Sequence, residues 1–318
     1  AGIFIQGILN QNIKTEMKQD RQYDVIIIGG SYSGLAAGMA LGRALRNVLI
    51  IDSGDPCNKQ TPHSHNFLTN DGKTPKEIAA IAKQQVSRYN TVDFLNGLAT
   101  GARKTPNGFE IETGAGEIFR SRKLIFATGI KDILPRIPGF SESWGISVLH
   151  CPYCHGYEVR NKKTGIIANG DNAFELSQLI SNWTNDLTVY TNGAATLNQQ
   201  QKEKLQQHRI KIVTAEIAAL EQQDGHVQNI LFTMGTKSPV DAIYARLPFA
   251  QHSALPESLG CELTEEGYLK INPAHKTTVP GVFACGDNVS RMRTVANAVG
   301  MGTTTGIMLN KELIEENF

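Results

Sequence analysis

Tyr23-Asp24-Val25-Ile26-Ile27-Ile28-Gly29-Gly30-Ser31-Tyr32-Ser33-Gly34 decides how this chain folds. Residues 23–28 are a β-branched run closed by glycines, the pattern of a strand buried on both faces of a parallel sheet. LAAGMALGRAL (35–45) follows with helical spacing, and VLIID (48–52) is a second buried strand ending in Asp52. Strand, glycine turn, helix, strand and acid make a dinucleotide-binding βαβ unit. Gly29 permits the tight turn and Gly34 the close packing of helix on strand. The helix N-terminus, entered through Ser31, Tyr32 and Ser33, receives a pyrophosphate, and Asp52 is placed to bond a ribose hydroxyl. Ser31 stands where the middle glycine of G-x-G-x-x-G belongs. The bland alternative is a turn of this shape that holds no nucleotide.

Downstream, residues 53–75 are turn-rich and without periodicity, and a loop of that length in a compact domain usually has a function. His63, His65 and Asn66 are its candidates for touching a cofactor ring, against the alternative of a polar surface loop. Residues 75–90 read as an amphipathic helix. Several strands follow, with turns at Asn107-Gly108 and at 114–116, and the run ends in LIFATG (124–129) with Thr128 and Gly129 at a strand tip. Near the C-terminus VFA (282–284) is a buried strand leading into Cys285-Gly286-Asp287. There Asp287, beside Gly286, can bond a ribityl or phosphate group. The long helix that begins around Thr294 and Val295 offers its N-terminal amides to an electron-rich ring carbonyl.

The chemistry is carried by Cys151-Pro152-Tyr153-Cys154-His155-Gly156. Two thiols three residues apart close on each other or open as a dithiol, and a helix starting there would lower the thiol pKa. The alternative, half of a zinc site, lacks a second half: Cys57, Cys261 and Cys285 stand alone and far away. No other metal site is expected. His155 is the natural proton shuttle, because imidazole titrates near neutral pH, with His150 as the second candidate. Pro135, Pro138 and Gly139 mark a linker before this unit. After the cysteines, TGIIAN (164–169), a turn at 170–173, the helix FELSQLISNW (174–183) and the strand LTVYTNG (187–193) repeat the βαβ plan. As a motif it is eroded to A-x-G-x-x-A, with neither an acid for a ribose diol nor arginines for a 2′-phosphate.

The 318 residues suffice for two cored domains. Lysine and arginine total 31 against 30 acids, so the near-zero balance points away from nucleic acid and from anionic membranes. An odd set of five cysteines is no secreted disulfide framework and indicates a reducing cytoplasm with one active pair. No apolar run is long enough to span a bilayer. Residues 1–16 precede Met17 and carry no basic flank, so a signal peptide is not expected there. They read as a leader before the natural start or as an amphipathic surface segment.

Taken in order, VIIIGGSYSG, LIFATG, CPYC and VFACGDN resemble the low-molecular-weight thioredoxin reductases, flavoproteins with two dinucleotide-binding domains, over about residues 22–316. The resemblance implies an α/β fold of two Rossmann-like domains of three-layer ββα type, the second inserted in the first. The divisions are an N-terminal extension (1–21), an FAD-binding part (22–130), an inserted NAD(P)-binding-like domain with the cysteines (131–246) and the rest of the FAD domain (247–318). It implies FAD, a redox disulfide next to the flavin with Cys154 as the flavin-side sulfur and Cys151 exchanging outside, and a homodimer. Two departures stand out: His155 replaces the aspartate that follows the second cysteine in those reductases, and the second nucleotide motif is incomplete. Both look more like the gliotoxin- and holomycin-type dithiol oxidases, which pass electrons to oxygen, or like reductases fed by a donor such as ferredoxin. FAD is therefore expected and NADPH is left open. The partner is a thioredoxin-like protein or a small-molecule dithiol or disulfide. A non-catalytic, redox-sensing flavoprotein is the reading from another class.

Overall fold

The computed structural model describes residues 22–318; the extension 1–21 and Met17 lie outside the described residues. In chain order the elements are β1 (Gln22–Ile28), α1 (Tyr32–Arg43), β2 (Val48–Asp52), α2 (Pro75–Val86), β3 (Val92–Asn96), β4 (Ala99–Thr105), β5 (Gly108–Thr113), β6 (Ile118–Phe126), β7 (Ile130–Asp132), α3 (Phe140–Ser143), β8 (Val148–Leu149) and α4 (Pro152–His155). Then come β9 (Thr164–Ile167), α5 (Gly170–Ile180), β10 (Leu187–Tyr190), α6 (Gln199–Gln207), β11 (Lys211–Val213), β12 (Ile217–Gln223), β13 (His226–Phe232) and β14 (Lys237–Pro239). The last are β15 (Ala242–Ala245), β16 (Phe249–Gln251), α7 (Leu255–Ser258), β17 (Val282–Ala284) and α8 (Val295–Asn317).

The chain divides into two compact units, one nested in the other. The first comprises the described residues up to 57 with 76–131 and 250–318, and the second 58–75 with 132–249. The 58–75 loop thus groups with the second unit, although by sequence position it falls within the expected first part of the FAD domain.

In the first unit a seven-stranded sheet runs β3-β2-β1-β6-β5-β4, with β17 also paired to β6. β1 lies parallel between β2 and β6, whereas β4, β5 and β6 are antiparallel neighbours. Alternation along β1 feeds two cores. Val25 and Ile27 pack with Leu35, Leu41, Leu309 and Leu313, while Tyr23 and Ile26 pack with Phe109, Phe119 and Leu255. Helix α8 lies against α1 through small residues: a Cβ on Gly302 would come within 2.1 Å of the Ser33 carbonyl. Its far end is tied down by charge, because the buried Lys123 reaches Glu312 at 2.6 Å and also pairs with Glu316.

In the second unit a five-stranded parallel sheet runs β11-β10-β9-β15-β8. Helices α5 and α6 cover one face over Ile166, Leu176, Val189 and Leu205. The antiparallel sheet β12-β13-β14 covers the other over Tyr190, Leu220, Ile230 and Ile243. Residues 210–225 serve both sheets: β11 joins the parallel sheet and β12 the antiparallel one. The second unit is thus a parallel sheet between helices and antiparallel strands, while in the first unit the antiparallel strands β4 and β5 continue the parallel sheet.

Candidate active site

The first unit gathers most of the expected flavin residues at one end of its sheet. β1 is followed by Gly29, with φ +104°, where a Cβ would overlap the Ala127 carbonyl; only glycine fits so close to the tip of β6. Gly34 sits against Gly29 in the same way, a Cβ there falling 1.9 Å from the Gly29 carbonyl. Asp52, at the end of β2, accepts the Gly30 N–H through Oδ1 at 3.0 Å, which fixes the carboxylate beside the turn. Ser31 has ordinary extended torsions (φ −86°, ψ −160°), so its place in the motif needs no glycine. Its side chain makes no cap bond, so the Ser31 hydroxyl does not occupy the start of α1. Gly286, with φ +92°, approaches Ser33 so closely that a Cβ would lie 2.6 Å from its Oγ, which brings Asp287 to the same helix end.

Thr128 and Gly129 at the end of β6 are held to this loop by Asn288. That residue is fully buried and its Nδ2 donates to the Phe126 carbonyl at 2.9 Å and to Thr128 Oγ1 at 3.4 Å. The Asn288 amide oxygen has no hydrogen-bond partner among the described residues. A buried acceptor without a donor, beside a helix end without a cap, fits a polar ligand such as a flavin dinucleotide. Sequence reasoning passed over Asn288; its signal is its position directly after the Gly286-Asp287 pair. Thr294 caps α8 with its own hydroxyl, accepting from the Asn297 N–H at 3.1 Å, so part of the helix end that begins at Val295 is satisfied internally. Cys285 is fully buried and its thiol is pushed up to about 12 by burial, which makes it inert, and Cys261 is likewise buried and raised.

The second unit carries the sulfur chemistry. Cys151 and Cys154 form a disulfide with Cα atoms 5.3 Å apart. The helix that Cys151 leads into, Pro152–His155, is a single turn, so the dipole expected from a helix start is small. Gly156 closes it, and a Cβ there would strike the Trp183 ring at 2.8 Å; the indole therefore lies directly on the turn. His155 is half-buried. Burial pushes its pKa below the ordinary histidine range, Glu158 pulls it back up and His65 pushes it further down. His65 comes from the 58–75 loop, with Nε2 3.7 Å from Glu158 Oε1 and Nδ1 3.7 Å from Asp71 Oδ1. His65, Asp71, Tyr153, Tyr157, Glu158 and Trp183 line a cavity of about 320 Å³, which Asn66 also borders. Asn66, expected with the flavin residues, thus groups with the second unit, whereas His63 is exposed and bonded to the Gly72 carbonyl. Glu158 and Trp183 carry no motif and were not legible. Among the described residues no group of three or more His, Cys, Asp or Glu side chains is placed to hold a metal ion.

The turn at 168–173 is filled by its own side chains. Helix α5 starts at Gly170, so the residues read as a turn before the helix are its first turn. Asn169 Oδ1 accepts from the Gly170 N–H (2.9 Å), the Thr196 N–H (2.8 Å) and the Thr196 hydroxyl (3.1 Å), and its Nδ2 donates to the Ala194 carbonyl. Asp171 adds a carboxylate to the helix start where a phosphate would come. At the end of β10 the Thr191 hydroxyl donates to the Gly193 carbonyl and Asn192 Oδ1 accepts from the Ile217 N–H. Arg246 is engaged with Asn172 and Glu175. These residues do not fit a 2′-phosphorylated nicotinamide dinucleotide.

The pyridine nucleotide-disulphide oxidoreductase family matches residues 23–302. The chain is 32% identical over 310 residues to thioredoxin reductase tcpT of Claviceps purpurea (strain 20.1), covering 92% of this chain and 95% of that protein. Among solved structures, an oxidoreductase from Agrobacterium tumefaciens matches at 35% identity with a TM-score of 0.87, covering 93% of this chain and 99% of that one. The putative thioredoxin reductase TrxB from Bacillus anthracis matches at 28% identity with a TM-score of 0.89, covering 93% and 100%. With a dinucleotide turn in one unit and a closed cysteine pair in the other, the chain belongs to the pyridine nucleotide-disulphide oxidoreductases, as an FAD-dependent thiol-disulfide oxidoreductase of thioredoxin reductase type.

Proposed function

We propose that Cys151 exchanges with the outside partner, that Cys154 is the cofactor-side sulfur, and that His155 moves the proton that each exchange requires. The observation carrying this reading is the half-buried imidazole directly after the disulfide, held below its ordinary pKa by burial and therefore neutral and able to take a proton near pH 7. FAD, when bound, supplies a two-electron carrier. Gly29, Ser31, Tyr32, Ser33, Gly34 and Asp52 would hold it, with Thr128, Gly129, Gly286, Asp287, Thr294 and Val295, and with Asn66 from the loop. The partner is a thioredoxin-like protein or a small-molecule dithiol or disulfide. The protein acts as a homodimer in the cytoplasm.

A second reading is favoured by the self-filled turn at Asn169: electrons run from a dithiol to oxygen, or come from a donor other than NADPH. Anaerobic mixing with NADPH separates the two. Rapid bleaching of the flavin absorbance supports the NADPH-driven reductase. No bleaching, with peroxide formed from a dithiol in air, supports the oxidase. No turnover with any donor or dithiol would leave a redox-sensing flavoprotein.

A further inference from the structure

Titratable groups stand beside the disulfide that the exchange chemistry above does not use. Glu158 follows His155 by three residues, and the Val159 N–H donates to the His155 carbonyl at 3.4 Å, so the chain keeps turning and puts both side chains on one side. His65 stands between Glu158 and Asp71, 3.7 Å from each. Glu158 and His65 are 40% and 22% exposed, and both line the cavity next to Pro152 and Tyr153. From β15 the buried Tyr244 hydroxyl faces Glu158 and has no hydrogen-bond partner among the described residues. Burial and the Glu158 charge push it far up, so it stays neutral. The charges acting on His155 are thus Glu158 from its own segment and His65 from the loop, with Asp71 one step further out.

Oxidation of one dithiol by the disulfide releases two protons. In the first step a substrate thiol gives its proton to His155, its sulfur bonds to Cys151 Sγ, and the Cys151–Cys154 bond breaks to leave a thiolate on Cys154. In the second step the other substrate thiol loses its proton and displaces Cys151 as a thiolate. The substrate has then lost two electrons and two protons, and the cysteine pair has gained the two electrons. His155 holds one proton at a time and must be emptied between the steps. We propose that Glu158, with His65 beside it, takes the proton from His155 to the cavity mouth and so resets the imidazole; in the reducing direction the same groups deliver it. Glu158 and His65 are positioning residues here, and the inference rests on the reading of His155 as the proton acceptor.

The test is exchange between the oxidised holoprotein and dithiothreitol, stopped by acid and read as alkylated Cys151 and Cys154 by mass, between about pH 5 and 8. This readout does not depend on flavin turnover. Glu158→Gln should lower the plateau roughly 3–10-fold and move the midpoint of the acid limb down, because the imidazolium loses its counter-charge. His65→Ala should move that midpoint up, because the neighbour that pushes the His155 pKa down is gone. Glu158→Asp should keep the wild-type midpoint. Shifts of opposite sign are not what a structural defect produces, and intact mass with flavin absorbance verifies that each variant is folded and oxidised. Midpoints that stay put, or move the same way in both variants, would overturn the relay. If His155→Ala exchanges slowly while the Glu158 and His65 variants match wild type, the relay alone fails. If His155→Ala exchanges at the wild-type rate, the reading of His155 fails and the relay falls with it.

Discussion

The turns at 29–34 and 168–173 are built on one plan and end in opposite states. Each leads a buried parallel strand into a helix, of 12 residues in α1 and 11 in α5. In the first, Ser31 leaves the helix start without a side-chain cap and Asp52 is held to one side by the Gly30 N–H. In the second, Asn169 turns its own amide oxygen onto Gly170 and Thr196, and Asp171 adds a negative charge. Topology creates a helix N-terminus; the side chains around it decide whether that end is open to an anion.

The largest expected effect tests the open turn. Gly34→Ala places a Cβ against the Gly29 carbonyl, which is backbone and cannot yield cheaply. Flavin retention should fall by about a hundredfold or more, equivalent to roughly 3 kcal/mol of overpacking, measured as flavin absorbance per polypeptide after gel filtration. Gly170→Ala, at φ +56° and with its Cβ meeting the Thr196 side chain (hydroxyl at 2.9 Å), strains the second turn alone and should leave flavin content unchanged. Loss of flavin in both variants would erase the distinction between the turns.

Next in size is the filled turn itself. NADPH should bind at least about tenfold more weakly than to a reductase with a complete motif, the value of one missing charge-assisted phosphate contact at about 1.5–3 kcal/mol. Saturation at low micromolar NADPH in an anaerobic titration would sink this and return the simple reductase to first place.

A smaller effect separates two acids of the first unit. Asp287→Ala should cut flavin content roughly threefold more than Asp52→Ala, on the order of one charge-assisted hydrogen bond at partial exposure. Asp287, which lies 3.7 Å from Arg293 Nε, is brought to the α1 N-terminus by Gly286, and Asp52 accepts the Gly30 N–H. Equal retention in the two variants contradicts that order.

The smallest effect is structural. Asn169→Ala removes the cap of α5 and the clamp on Thr196, and should cost about 1 kcal/mol in urea melts with flavin content intact. A gain in NADPH affinity in this variant would show that Asn169 was the obstruction.

The first turn was legible because its signals are local: β-branched strand, Gly29, Gly34 and Asp52 fall within thirty residues or so and each has its own backbone reason. The cysteine pair was legible for the same reason. What the sequence hid is tertiary. Nothing near residues 58–75 says that the loop groups with a unit that begins at 132, so His65 could not be placed beside Glu158. Asn169 reads as an ordinary strand-end residue until Thr196, 27 positions away, donates to it. The helix expected to start at Cys151 is a single turn capped by Gly156, and no signal in the motif gives its length.

The pairing of β17 with β6 sets Val282 opposite Leu124, in the middle of the first sheet and from late in the chain. On the ribosome, the residues that complete this sheet emerge roughly 10–30 s after those they join, at ordinary elongation rates. The main segment of the second unit, residues 132–249, is synthesised in that interval. The strand opened first, β1, therefore waits with one flank of β6 unmatched while the nested unit condenses. A message truncated anywhere between residues 155 and 282 would yield a polypeptide whose cysteine pair is present but whose flavin cradle lacks Gly286, Asp287 and Asn288.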